Sequence, residues 1–315
     1  MATADLQQAV QLLESNYINP DALNETELNR AMLTGLLTRL GGGVALLADG
    51  GPDNPEATNA FHGELLDGHI GYLRLGALTN TNLQAMDSSL QEFNGKKADA
   101  IVLDLRASPA TNDFGLAAEF AKRFSPKGKL LFSLRRTGKQ ERTFASDRDP
   151  AFQGLMIVLA DGDTAGPAEA IAGVLRLYNK ALVIGQPTAG RAVEFSDLPM
   201  NGGETLRVAV AEAVLPENRP LFPGGVKPDV PVEMSPVEKR TVFEQSLAGG
   251  MGPFVFETER PHLNEAALLA GRNPEMEAAE TPQHRAHGTE KSQARDAVLQ
   301  RAMDVVTSLS IYQKR

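Results

Sequence analysis

The chain has 315 residues, of which 42% are hydrophobic, a formal net charge of −9 and no cysteine. This length and apolar content allow one large domain or two to three small ones around a substantial core. The negative charge argues against general binding to nucleic acid or to an anionic membrane surface, and the lack of cysteine excludes disulfides, thiolate catalysis and thiolate metal sites. No apolar run approaches the roughly 18 residues of a membrane span, and no signal-peptide pattern opens the chain, so we expect neither.

Residues 1–48 are predicted to form two amphipathic helices. Apolar residues recur at helical spacing in the first: Leu6, Val10, Leu13 and Tyr17. Asn24 and Glu27 give the second helix the pattern of an N-terminal cap, and a run of glycines at 41–43 ends it. Residues 49–68, rich in Gly, Pro, Asp and Asn, are predicted to be a linker.

Residues 69–234 alternate between strand and helix patterns. Short apolar or alternating runs predict strands at 70–75, 100–105, 130–134, 155–160 and 206–215. Helical periodicity predicts helices at 80–94 and 113–124, with a charged hairpin or loop at 135–149. This alternation indicates an α/β fold with a layered βαβ core.

The stretch 155–195 carries the most informative pattern. An apolar strand leads into a turn that ends at Gly166, Pro167 suits the first position of the next helix, and Glu169 follows in its first turn. Acyl-transfer enzymes often place a nucleophile at such a helix start, where backbone N–H groups are free. Glycine has no side chain to attack with, and Arg191, in the following loop, is protonated at any working pH and cannot act as a general base.

Two motifs in this stretch resemble those of the C-terminal processing (tail-specific) serine peptidases. That family reads roughly G-[ST]-A-S-A-S-E at the turn and T-F-G-K-G-x-V-Q at the loop. This chain reads D-T-A-G-P-A-E at 163–169 and T-A-G-R-A-V-E-F at 188–195. The resemblance implies a ClpP/crotonase-like core with helical N-terminal and C-terminal segments.

The resemblance also implies which positions carried the chemistry. The nucleophilic serine falls at Gly166, and the general-base lysine falls at Arg191. The glutamine that orients the lysine falls at Phe195, or at Glu194 if the loop slips by one residue. All three are replaced, so we predict no catalytic residues at these positions.

A further motif, D-L-R-A-S-P-A-T at 104–111, is similar to the family's D-L-R-x-N-P-G-G. The diglycine normally lets the backbone approach the scissile carbonyl and supply an oxyanion donor, and here it is Ala110 and Thr111. We predict that Asp104 and Arg106 form a structural ion pair or cap rather than a reactive pair.

Only about 25 residues separate the second helix from the first core strand, whereas the family usually inserts a PDZ domain there. We therefore predict that a PDZ domain is absent, which puts tail recognition by that route in doubt. The phrase P-G-G-V-K-P-D at 223–229 resembles the family's closing G-K-G-I-x-P-D.

Residues 235–293 are predicted to be irregular and partly flexible because Glu, Pro, Gly and polar residues dominate them. His284 and His287 lie in this segment without a third ligand nearby, so we predict no metal site and no cofactor. Residues 294–315 are predicted to form a C-terminal helix.

Two functions remain open. The first is a pseudopeptidase that binds peptides or protein C-termini as a scaffolding or regulatory partner. Its candidate groove residues are Thr164, Ala165, Gly166, Arg191, Ala110 and Thr111. The second is an active serine/threonine-type peptidase with a relocated nucleophile, although the nearby hydroxyls have no evident base: Thr164, Thr188, Ser108 and Ser196. An engineered knockout would change one position rather than four. By family resemblance we expect an extracytoplasmic bacterial homodimer.

Overall fold

The computed structural model describes residues 3–19, 23–47, 60–255 and 294–313. Within these ranges the helices are α1 (Thr3–Asn16), α2 (Glu25–Leu40), α3 (Asn80–Gly95), α4 (Phe114–Lys122), α5 (Pro167–Tyr178), α6 (Pro236–Gly249), α7 (Gly252–Val255) and α8 (Ala297–Gln313). The strands are β1 (Val44–Leu47), β2 (His62–Leu66), β3 (Ile70–Arg74), β4 (Ala100–Asp104), β5 (Leu130–Arg135), β6 (Arg142–Ala145), β7 (Leu155–Ala160), β8 (Leu182–Gly185), β9 (Val193–Pro199), β10 (Thr205–Leu215), β11 (Arg219–Pro220) and β12 (Val230–Pro231).

The chain divides into two units, a smaller one of residues 1–52 and 195–210 and a larger one of residues 53–194 and 211–315. The larger unit is built on a six-stranded sheet in the order β12-β8-β7-β4-β3-β2, in which every neighbouring pair except β2–β3 is parallel. Strands alternate with helices along the chain, which confirms the predicted α/β class with a βαβ core.

Both faces of this sheet are covered by helices. On β4, Ile101 and Leu103 pack in one apolar cluster with side chains of α3, α4 and α5, whereas Val102 packs in a second cluster with side chains of α6, α7 and α8. A strand that is buried on both faces needs an unbroken apolar run, which is what the sequences of β4 and β7 supply. The C-terminal helix, which the sequence predicted at 294–315, therefore packs on the core.

The smaller unit holds α1, α2 and β1, which pairs antiparallel with β10 from Val44 opposite Val208 to Leu47 opposite Thr205. The predicted cap of α2 is confirmed, since the Glu27 N–H donates to the Asn24 side chain at 3.0 Å. No residue of α2 is buried. The apolar faces of these helices are open to solvent, with large side chains 46–59% exposed: Leu6, Leu12, Leu13, Tyr17, Met32, Leu36 and Leu40.

Residues 62–66, predicted as part of the linker, instead form the edge strand β2, which runs antiparallel to β3. The two strands are joined by Asp67, Gly68 and His69, and the first two of these have positive φ (47° and 71°). An Asp-Gly pair between two strands is the residue pattern of a tight hairpin turn. That signal was present in the sequence, but the neighbouring Gly-rich and Pro-rich composition obscured it.

The prediction that residues 235–293 begin as irregular chain is wrong for the described part, where α6 and α7 form. The Ser235 side chain accepts from the Glu238 N–H and the Glu238 carboxylate accepts from the Ser235 N–H, with Pro236 at the first helical position. This reciprocal cap starts α6, and burial of Phe243 holds the helix on the core. The composition of the segment as a whole had outweighed that local signal.

Several predictions fall on residues outside the described ranges. These are most of the 49–68 linker, residues 256–293, and His284 and His287 within them. Among the residues that the structure describes, no group of three or more His, Asp or Glu side chains could hold a metal ion. Within the same ranges no helix combines the length and apolarity that a bilayer crossing would need.

The predicted ion pair of Asp104 and Arg106 is confirmed and extends further than the sequence indicated. The Arg106 guanidinium lies 2.6 Å from the Asp104 carboxylate and 2.7 Å from that of Asp296, all three being buried. Burial acts to raise the pKa of Asp104, but the charge and hydrogen bonds of Arg106 outweigh it and lower that pKa overall. Asp296 also caps α8 by accepting from the Leu299 N–H at 2.9 Å, so one arginine connects β4 to the C-terminal helix.

Replacing Asp296 should therefore destabilise the larger unit strongly. In Asp296→Ala, Arg106 keeps only one carboxylate in a dry site and α8 loses its cap, so we expect the free energy of unfolding to fall by about 3–5 kcal/mol in urea denaturation. Asp147→Ala is the control, because Asp147 is exposed and pairs with Lys122 at the surface. If both variants unfold at the wild-type urea concentration, the buried network is not what holds α8.

Candidate active-site region

The turn between β7 and α5 is fixed by the side chain that precedes Gly166 by two residues. The Thr164 hydroxyl is fully buried, donates to the Leu105 carbonyl at 3.2 Å and accepts from the Asp161 N–H at 3.1 Å. Ala165 is buried as well. The turn delivers Gly166 to the cap position of α5 with Pro167 at the first helical position, as predicted.

Gly166 has a backbone conformation that favours glycine, with φ 61° and ψ −125°. A Cβ placed on it would lie 3.3 Å from the Thr111 carbonyl oxygen and 3.8 Å from the Arg191 carbonyl oxygen. The structure thus brings together three of the predicted groove positions, Gly166, Thr111 and Arg191. A side chain at position 166 would carry backbone strain of about 1–3 kcal/mol.

Pro167 removes a donor from the start of α5. In hydrolases that carry a nucleophile at such a turn, the N–H of the following residue helps to stabilise the oxyanion, and proline has no N–H. The Thr111 N–H lies 4.0 Å from the Cβ position of Gly166 and has no hydrogen-bond partner within the described ranges. Position 167 therefore cannot supply this oxyanion donor. From its sequence position alone, Pro167 indicates only the start of a helix.

Glu169 holds the turn and the following loop together. One carboxylate oxygen accepts from the N–H groups of Gly166 (3.0 Å) and Arg191 (2.7 Å), and the other from the Thr188 hydroxyl (2.7 Å) and the Gly190 N–H (2.8 Å). The side chain is fully buried. Burial is the largest influence and raises the pKa of Glu169, while the four hydrogen bonds oppose that rise.

The loop that carries Arg191 is closed against the end of the core by two glycines. A Cβ on Gly190 would lie 2.1 Å from the Pro223 carbonyl oxygen, and a Cβ on Gly225 would lie 2.5 Å from the Thr188 hydroxyl. The Val226 N–H donates to that same hydroxyl at 2.8 Å. The T-x-G pattern at 188–190 and the Gly-Gly pair at 224–225 therefore both contribute to one close contact between this loop and the end of the core.

Arg191 itself is exposed, and within the described part of the chain no carboxylate lies within 4.0 Å of its guanidinium. Its backbone is fixed by Glu169, whereas its side chain faces solvent. Ala110, the first residue of the replaced diglycine, is also exposed. The region therefore presents a free cation beside the start of α5.

Glu194 and Phe195, the two candidates for the orienting position, have different surroundings. The Glu194 carboxylate accepts from the Arg142 guanidinium at 2.9 Å, so it is already paired. Phe195 is half-buried on β9 and belongs to the smaller unit, as does Ser196. Neither 194 nor 195 supplies the neutral amide that the resemblance called for.

Comparison with known proteins identifies the fold and family. The sequence model of peptidase family S41 matches residues 69–232, more than half of the chain, and the chain belongs to that family. It is 27% identical over 167 residues to a carboxyl-terminal-processing protease of Synechocystis, a match that covers 52% of this chain and 38% of that protein. It is 29% identical over 168 residues to the chloroplastic carboxyl-terminal-processing peptidase 2 of Arabidopsis thaliana, covering 53% of this chain and 32% of that protein.

The matched part thus spans about a third of the length of these curated relatives. Among solved structures, one from Parabacteroides merdae superposes with a TM-score of 0.58 at 16% identity and covers 76% of this chain and 85% of its own. At that identity the likeness concerns the fold. The predicted membership of the C-terminal processing peptidase family is confirmed, as is the predicted α/β fold class.

Glu169→Gln should destabilise the turn and the loop, although the two side chains are nearly equal in size. The amide presents an NH₂ group to two of the four donors that now face a carboxylate, and each buried donor left without an acceptor costs about 1–3 kcal/mol. We expect a matching loss of unfolding free energy in urea denaturation. Glu238→Gln is the control, since Glu238 occupies the same third helical position in the exposed cap of α6. Equal stability of the two variants would contradict the organising role of Glu169.

Proposed function

We propose that this S41 family member is a pseudopeptidase, which binds peptide segments in the groove at Gly166 without cleaving them. The observation that carries the proposal is the pair Gly166–Pro167, which offers neither a hydroxyl nor the adjacent N–H at the helix start. Arg191, Phe195, Ala110 and Thr111 at the remaining family positions support it. Absence of a PDZ domain is part of the same proposal.

The groove is suited to the carboxylate at the end of a peptide. The exposed guanidinium of Arg191 belongs to the loop whose backbone borders Gly166, and the Thr111 backbone nitrogen lies 4.0 Å from the Cβ position of Gly166. A helix start favours negative charge, and an arginine can bind a carboxylate through two parallel hydrogen bonds. A free protein C-terminus is therefore the ligand that we favour, and a scaffolding or regulatory role follows from binding without turnover.

The alternative, an active peptidase with a relocated nucleophile, finds less support in the hydroxyl groups. Thr164 and Thr188 both donate to buried acceptors and accept from backbone N–H groups, so they are held in structural roles. The Ser108 hydroxyl has no hydrogen-bond partner among the described residues, but the residue is only 2% exposed. A buried hydroxyl without a base is a weak nucleophile.

Turnover and binding should be measured with the same fluorescent peptides on the wild type, Gly166→Ser/Arg191→Lys, and that pair with Pro167→Ala. We expect no cleavage by the wild type. The triple variant should exceed the double variant by about 10²–10³ in kcat, because it regains one oxyanion donor. Peptides with a free C-terminal carboxylate should bind the wild type more tightly than amidated peptides. Their affinity should fall about tenfold in Arg191→Gln.

A triple variant with Gly162→Ser in place of Gly166→Ser is the matched control, since it puts the hydroxyl elsewhere on the same turn. Wild-type cleavage that survives purification and is abolished by Thr164→Ala would overturn the pseudopeptidase proposal. Equal, unmeasurable binding of free and amidated peptides would overturn the carboxylate assignment.

We also propose that the protein is a homodimer in an extracytoplasmic compartment. Support for the dimer comes from the exposed apolar faces of α1 and α2, which in the described part of the smaller unit bury no large side chain. Helices with a wide apolar face are stabilised chiefly by packing that face. The compartment rests on the family resemblance.

Light scattering after size-exclusion chromatography tests the dimer. The wild type should elute at twice the 33.7 kDa chain mass, and Met32→Lys/Leu36→Lys should elute as a monomer. Val237→Lys/Leu247→Lys is the control, because these apolar residues are as exposed but lie on α6 in the larger unit. A wild-type monomer at micromolar concentration would rule out the proposed dimer.

A further inference from the structure

A second concavity adjoins the candidate groove in the larger unit, with a volume of about 630 Å³. Thr111 forms the common wall, since it borders both this cavity and the Gly166 position. The other walls come from the start of α4, from β6 and from the residue before Phe195: Asn112, Asp113, Phe114, Gly115, Arg142, Phe144 and Glu194. Thr111 therefore connects this cavity to the Gly166 position.

The floor of the cavity is a fixed aromatic cluster. Phe114 is fully buried and Phe144 is half-buried, and both contact Phe132, with ring centroids 6.1 and 4.8 Å away respectively. Phe132 and Phe144 are directly opposed across the β5–β6 pair, which holds their rings in place. The exposed part of this floor is therefore a flat apolar surface rather than a mobile side chain.

The charged groups of the lining are already partnered. Arg142 donates to Glu194 at 2.9 Å, and its guanidinium lies 5.7 Å from the centroid of the Phe144 ring. The Asp113 carboxylate accepts from the Leu116 N–H at 2.8 Å as the cap of α4. An anionic side chain that entered would lose hydration and meet the carboxylates of Asp113 and Glu194, whereas a neutral ring would lose little.

We propose that this cavity is a side-chain subsite that takes an aromatic residue of the peptide bound at Gly166, an inference that rests on the proposed peptide-binding function. The ring lies against Phe144 and beside the Arg142 guanidinium, which favours aromatic faces over aliphatic groups. The Arg142–Glu194 pair acts as the specificity determinant, since the Arg142 cation offsets one of the two carboxylates that line the cavity, Asp113 and Glu194.

The test uses N-acetyl amides of phenylalanine, leucine, glutamate and lysine, titrated into the full chain and followed by protein NMR. These probes carry no C-terminal carboxylate, so they report on the cavity independently of Arg191. We expect phenylalanine amide to bind tightest and to shift signals of Thr111 and Gly115. Leucine amide binding as tightly as phenylalanine amide, or no probe shifting these signals, would overturn the proposal.

Arg142→Glu sharpens the test, because it places a second carboxylate opposite Glu194. We expect the ratio of lysine-amide to phenylalanine-amide affinity to rise at least about fivefold. Arg148→Glu is the matched control: it makes the same charge change on an exposed residue that does not line the cavity, and its ratio should remain that of the wild type. An unchanged ratio in Arg142→Glu would overturn the role of the pair.

The two proposals can fail separately. Probes that bind the cavity while free and amidated peptides bind equally would reject the carboxylate site and keep the subsite. Peptides that bind through Arg191 while no probe shifts Thr111 or Gly115 would reject the subsite and keep the proposed function.

Discussion

The region around Gly166 depends on one buried carboxylate. Glu169 accepts from three backbone N–H groups and one hydroxyl, and these donors come from both the helix start and the loop that carries Arg191. Removed from water, such donors have no other acceptor, so the carboxylate fixes the distance between the turn and the loop. The framework of a catalytic centre is maintained by contacts that take no part in bond breaking.

This separation explains how a site can keep its shape after its reactive groups change. Gly166 has no side chain and the side chain of Arg191 is exposed, so neither contributes side-chain packing, whereas Glu169, Thr188 and Gly190 are buried in the contact between turn and loop. Glycine at position 166 also avoids the backbone strain that another residue would carry at this turn. A glycine at this position is thus compatible with an intact fold.

A second group of buried charges connects the sheet to the C-terminal helix. Arg106 sits between Asp104 at the end of β4 and Asp296 before α8, and Tyr72 donates to Asp104 at 2.8 Å. Asp104 and Asp296, which lie far apart in the chain, therefore share one buried cation. Since a buried charge without its partner is costly, this group makes the C-terminal helix part of the core rather than an appendage.

Local patterns in the sequence were sufficient for the βαβ core, for the caps at Asn24 and Gly166, and for the recognition of the family motifs, because each depends on residues close together in the chain. They failed at β2 and α6, where a local hairpin or capping signal lay inside a segment of polar composition. The link from Arg106 to Asp296, the four donors of Glu169, the pairing of Glu194 with Arg142 and the cavity beside Thr111 were beyond the sequence. Each joins residues that only the closing of the sheet and its helices brings within hydrogen-bond distance, so tertiary structure alone decided them.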